Sequence, residues 1–170
     1  MNRAVAIANE FLAKAGSAGL TQMQLQKLVY FAHGWTLAIT GEPLTAEEPQ
    51  AWNYGPVYSD LYDHTKYFGS KSIDRLLTPD DDDAARFFLH QASGLPPYKA
   101  TLTPTEKDII DRVWKRYGGL TGSRLSALTH QTKTPWSRVF AGGSGKNRTI
   151  PNGMIKDHYT TIGNSVAGAA

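Results

Sequence analysis

Chemistry in this chain would have to come from its five histidines, its hydroxyl side chains or the acidic run Asp80–Asp83. The histidines are His33, His64, His90, His130 and His158, scattered one to an element. None forms the i, i+4 pair of a zinc-binding helix. The chain has no cysteine, which removes thiolate ligands, disulfides and thiol nucleophiles together. The acidic run lacks the glycine and the terminal glutamate of a calcium loop. Its reading is a set of solvated carboxylates at the N-terminus of the helix AARFFLHQA, where they complement the helix dipole. The loop Gly142–Lys146 has the look of a phosphate-binding loop, but Phe140 stands where the first glycine is required and Asn147 follows the lysine. No Gly-x-Ser-x-Gly elbow is present. The expectation is therefore no catalytic residue, no cofactor and no metal.

A second kind of chemistry, recognition, has better candidates. Trp52, Tyr54, Tyr58 and Trp136, together with His130, are aromatic side chains with a polar handle in connecting segments. Such side chains anchor protein interfaces because they bury a large apolar body and still satisfy one hydrogen bond. Lys133 and Arg138 add charge beside Trp136, and complete the expected partner-binding set. Each aromatic also has a structural alternative. Trp52 on an alternating strand suits the core, Trp136 after Pro135 could plug the C-terminal helices, and His130 could cap a helix end. Gly55 and Pro56 are read as a rigid turn that aims these aromatics, since glycine frees φ and proline fixes it.

Those residues need elements to position them, and the pattern is mostly helical. Ala4, Ile7, Ala8 and Phe11 mark a first helix over about 3–14. Thr21 and Gln24 form a capping box for a second helix that Gly41 stops. Ten of the fifteen residues from Leu25 to Ile39 are apolar or aromatic, so this helix, over about 21–40, should be central and buried on most sides. Gly34 within it suggests close approach by another element. Pro43, Pro49 and Pro56 forbid helix over 42–57. A small β element is expected near 44–54, with Gln50–Tyr54 pairing to residues around 148–150. Further helices are expected from Ser59 or Asp60 to about Gly69, from Thr103 to about Tyr117, over Gly122–Thr129, over Pro135–Phe140 and over Asn152–Ile162. Thr103, Pro104 and Glu106 supply a cap, an N1 proline and an N3 acid. Residues 166–170 read as a frayed tail.

A chain of 170 residues with 41% hydrophobic content is most simply one globular domain, 1–170. The N-terminal apolar run is broken by Asn9, Glu10 and Lys14 too early for a signal peptide, and no stretch reaches the ~20 apolar residues of a membrane span. With no cysteine, a cytoplasmic location is expected. Charge is uneven: residues 40–83 hold ten acids against three bases, and residues 112–156 hold nine bases and no acid. Either the two halves attract each other, or the basic half faces an acidic protein or a nucleic acid.

Several blocks then combine in one order. LQKLVYFAHGWTLAITGEPL (Leu25–Leu44) is followed by AWNYGPV (Ala51–Val57) and SDLY (Ser59–Tyr62). LSALTH (Leu125–His130), Pro135–Trp136, Ile150 and Tyr159 come later. Together they resemble the Panacea-domain family of SocA-like, phage-associated antitoxins, over about Ala4 to Tyr159. The resemblance implies a mainly α, compact single Panacea-like domain around the buried helix. It implies a non-enzymatic antitoxin that neutralises a cognate protein toxin by direct contact, the toxin being encoded by an adjacent gene. A variant of that reading is a proteolytic adaptor that delivers the toxin to a Clp-type protease. The rival reading is a nucleic-acid-binding phage or prophage regulator using the basic half, against which no helix-turn-helix is evident.

Overall fold

The second helix is the axis on which the other elements are hung. A computed structural model describes residues 1–82 and 94–167, the last two by backbone alone. Among these residues it contains seven α-helices and one two-stranded sheet: α1 Ala4–Ala15, α2 Gln22–Thr40, β1 Gln50–Trp52, β2 Gly55–Val57, α3 Ser59–Thr65, α4 Pro104–Tyr117, α5 Gly122–Thr129, α6 Pro135–Phe140 and α7 Asn152–Ala167. The fold class is thus mainly α with a small β element. The expected helix over AARFFLHQA, with Asp83, lies outside the described residues, as does the tail beyond Ala167.

Helix α2 begins at the capping box that Thr21 and Gln24 make and ends at Gly41, whose φ of 81° is left-handed. It packs against α1, α3, α4, α5, α7 and β2. From Leu25 to Gly34 every residue on it is buried, which is why no polar face survives in its sequence. Gly34 is the point of closest approach. A Cβ there would lie 2.3 Å from the ring of Tyr159 on α7, so the absent side chain is what lets the two helices meet. The Tyr159 ring stands edge-on to Trp35 at 5.2 Å and to Tyr30 at 6.2 Å. The central helix, the later helices and their caps follow the sequence reading, except that α7 runs five residues past the expected Ile162 and takes in Val166 and Ala167 of the expected tail. Helix α3 is shorter than expected, ending at Thr65, with a 3₁₀ turn over Lys66–Phe68 before Gly69.

The β element lies over Gln50–Val57, later than the expected 44–54, and differs in its pairing. Its two strands are consecutive, and pair antiparallel as a hairpin with Trp52 opposite Gly55. The turn is therefore Asn53–Tyr54, and Gly55 and Pro56 open the returning strand instead of forming the turn. The expected partner is also there: Ala51 donates to Arg148 O at 2.8 Å, Asn147 donates to Ala51 O at 2.7 Å and Ile150 donates to Pro49 O at 2.8 Å. Residues 147–150 thus run beside β1 and bridge Gln50 to Thr149.

Asp81 departs from the expected solvated run. It is 1% exposed, and Arg75 grips it with bonds of 2.9 and 2.6 Å. Asp60 pairs with Arg3 and Asp63 with Lys66, so these acids are matched without the basic half. All nine bases of residues 112–156 are exposed.

Candidate functional site

The hairpin that carries Trp52 and Tyr54 is held by side chains, almost carbonyl by carbonyl. The Trp136 indole N–H donates to Trp52 O at 2.9 Å. His130 Nε2 lies 3.2 Å from Asn53 O, and the Ser126 hydroxyl donates to Tyr54 O at 2.9 Å. Lys27 Nζ donates to Pro56 O at 2.9 Å. Beyond β2, the Gln26 amide takes both backbone groups of Tyr58: Tyr58 N–H donates to Oε1 at 2.8 Å, and Nε2 donates to Tyr58 O at 3.1 Å. A short hairpin is marginal in isolation. Here Lys27, Ser126 and Trp136 supply side-chain donors where the hairpin has no strand beside it, and His130 packs over the turn, which together fix its direction.

Each of those side chains is itself held. His130 follows α5 at its C-cap, and its Nδ1 lies 2.7 Å from Ser126 O. Its ring centroid is 3.8 Å from that of Trp136, which stacks in turn on Phe140 at 4.6 Å. Helix α6 starts at Thr134, whose hydroxyl caps Ser137 N–H and donates to Thr129 O at 2.7 Å. This ties α6 to the end of α5, so Trp136 and His130 reach the hairpin from one body.

Lys27 is an unusual support. It is 1% exposed, on the central helix, and takes part in no ion pair among the described residues. Burial without an anion penalises the ammonium and pushes its pKa down to about 7. Its room comes from Gly55, which has φ of 106°. A Cβ on Gly55 would lie 2.6 Å from Thr129 Oγ1 and 2.7 Å from Lys27 Cε. Glycine is needed twice over at this position, for its φ and for the space.

The expected partner-binding set divides on this geometry. Tyr54 at the tip is 70% exposed, and Lys133 and Arg138 are exposed. Trp52 is half-buried, its ring against Tyr62 at 4.9 Å and its indole N–H on Gln50 Oε1 at 2.9 Å. Tyr58 must be removed from the set: its 0% exposure puts it in the core, against His33. Trp136, at 6% exposure, and His130 face the hairpin and act as positioning residues. Gln26, Lys27 and Ser126 were missed. They read as ordinary helix residues, and only Lys27, charged in the middle of an apolar run, gave a signal.

Trp52 and Tyr54 also form one wall of a cleft of about 830 Å³. The first turn of α2, the hairpin, Tyr62, Gly69–Ser70, the start of α5 and Lys146–Asn147 enclose it. Among the described residues no group of three or more His, Asp or Glu is placed to hold a metal ion, and no helix is long and apolar enough to cross a membrane.

The fold and site define a helical domain that presents one stiffened hairpin beside a cleft. The family model for the antitoxin SocA-like Panacea domain matches residues 25–137, and the chain belongs to that family. It is 34% identical to the antitoxin SocA of Caulobacter vibrioides (strain NA1000 / CB15N) over 164 residues, which span 91% of this chain and 80% of that one. No solved structure matches it.

Proposed function

We propose that this protein is an antitoxin that neutralises a cognate protein toxin by direct, stoichiometric contact in the bacterial cytoplasm, without catalysis. The observation that carries the reading is the similarity to antitoxin SocA through nine-tenths of the chain. The held hairpin supports it. A loop fixed before binding loses little conformational entropy on docking, so more of the contact energy appears as affinity. Tyr54 at its tip is the type of residue that dominates interface energetics.

The test is co-expression with the toxic reading frame encoded beside this gene. Growth should recover in proportion to the complex that co-purifies. Rescue by strongly sub-stoichiometric protein, with the toxin intact, would instead point to an enzyme acting on the toxin or its product. The adaptor version belongs to the same reading and separates cleanly: toxin levels would fall only in cells that retain their Clp-type protease.

A further inference from the structure

The cleft beside the hairpin has a chemistry of its own. Its lining contains no aspartate or glutamate, in a chain that carries 15 acids; of its two lysines, Lys27 spends its ammonium on Pro56 O and Lys146 is exposed. The N-terminal turns of α2 and α5 both open on it, and neither has an acid in its first turn. Helix starts carry partial positive charge, which at these two is met by neutral caps from Thr21, Gln24 and Thr121 and by no acid. The remaining wall combines apolar and aromatic side chains with the uncharged polar Gln26, Asn53, Ser70 and Asn147. Met23 packs against Gly122 on one side, and Trp52 with Tyr62 forms the other. Tyr54 projects at the rim. A volume of about 830 Å³ is in the range that takes several side chains or one drug-sized ligand.

We infer that this cleft receives an acidic segment of the partner protein, an aromatic or long aliphatic side chain seating between Met23, Trp52 and Tyr62 and a carboxylate turning to Lys146. The inference rests on the antitoxin reading and names the surface that reading leaves open. An acid-free cleft fits an anion. Its apolar walls give that anion's neighbour a place to bury. A protein segment is favoured over a nucleic acid because the site is a bounded pocket, not a long groove. Apart from Arg148, two residues from Lys146, the other exposed bases of residues 112–156 are spread over α4, α5, the turn at Lys133, α6 and α7, where no single strand would follow them.

Two single reversals of equal charge separate the possibilities. Lys146→Glu changes the cleft, whereas Lys115→Glu changes a distinct surface pocket on α4. Both positions are exposed, so both variants should keep the wild-type melting temperature. Binding of the purified neighbouring gene product is then measured by association and dissociation kinetics, with a single-stranded oligonucleotide as a second probe. Lys146→Glu should weaken toxin binding by about tenfold or more, mainly through slower association, with Lys115→Glu within about twofold of wild type. An Asp or Glu to Lys change in the toxin that restores binding to Lys146→Glu would identify the seated segment. Equal effects of the two reversals would overturn the inference while leaving the antitoxin reading intact. So would loss of oligonucleotide binding alone in Lys146→Glu, which would give the cleft to nucleic acid. If wild-type protein neither binds the neighbour nor rescues growth, the antitoxin reading fails and the inference goes with it.

Discussion

The two halves of α2 do opposite things with the same burial. Toward its C-terminus, Gly34 meets the Tyr159 ring with its backbone and Tyr30 meets it ring to ring, with no polar contact between them. Toward its N-terminus, Gln26 and Lys27 are as deeply buried, yet both spend their polar ends on the backbone beyond Asn53–Tyr54. One half joins helices, His33 excepted, whose ring reaches Thr45 in the irregular segment and Asn152 at the start of α7. The other holds a segment that is not helical and has too few strand neighbours to satisfy itself. Asn9 on α1 repeats the second device, donating to Leu77 O and Tyr98 O at 2.9 Å and accepting from Leu77 N–H at 2.7 Å. A buried amide or ammonium on a helix is thus how this fold anchors irregular chain. Around Gly34 the helix joins the body together, and at Gln26 and Lys27 it fixes the surface that the body presents.

The largest effect is expected where the clamp is removed without changing volume much. Gln26→Leu strips the Tyr58 N–H of its acceptor and the Tyr58 carbonyl of one of its two donors, the other being Tyr62 N–H. Leaving a buried peptide group unpaired costs about 1–3 kcal/mol, and the lost bonds add to it, so the loss should be about 3 kcal/mol. Chemical denaturation should show it as a lower midpoint at unchanged slope. A loss below about 0.5 kcal/mol would mean that water replaces the clamp, and the contrast between the halves would fail.

Gly34→Ala probes the other half. The new methyl would have to displace the Tyr159 ring. Overpacking costs about 1–3 kcal/mol, and the gain in helix propensity returns up to about 1. A net loss of about 1–2 kcal/mol is expected, with toxin binding per folded molecule unchanged because the hairpin is held elsewhere. Weaker binding by fully folded Gly34→Ala would show that the halves are coupled.

The helices were legible because their signals are local. The Thr21–Gln24 and Thr103–Glu106 boxes, the stop at Gly41 and the apolar run of α2 each lie within a few residues of what they control. Even the role of Gly34 could be read, since a glycine inside a buried helix implies close approach. The hairpin was only half legible. Asn53–Tyr54 lacks the glycine that usually marks a two-residue turn, and the Gly55–Pro56 pair drew the turn two residues too far. Aromatic type alone could not distinguish Tyr54, which is displayed, from Tyr58, which is core, four residues away. The partners of the turn carbonyls come from 72, 77 and 84 residues further along. No local pattern carries that distance. His130 and Trp136 were found by type, but their direction, inward to the hairpin, is a property of how α5 and α6 pack.

The smallest effect separates the halves by pH. Lys27 should bind its proton with a pKa of about 7 when folded and near 10.4 when unfolded. Below pH 7 the lysine is charged in both states, and the full cost of burying the ammonium is present. As pH rises above 7 the folded protein gives up the proton while the unfolded chain keeps it. The cost is relieved, so stability rises with pH over that window. Lys27→Met fills similar space and cannot titrate. Stability of wild type relative to Lys27→Met should therefore increase by about 1 kcal/mol between pH 6.5 and 8. His33, buried and held neutral between Thr45 and Asn152, has its pKa lowered chiefly by burial. Its contribution is lost as pH falls below its unfolded value near 6.5, but both proteins carry it and it cancels in the difference. Gly34→Ala, altered in the half that holds no charge, should follow the wild-type pH curve at a constant offset. A flat difference between wild type and Lys27→Met would mean that the ammonium keeps its charge by reaching water or an anion, and the polar half of α2 would then be less sealed than its burial indicates.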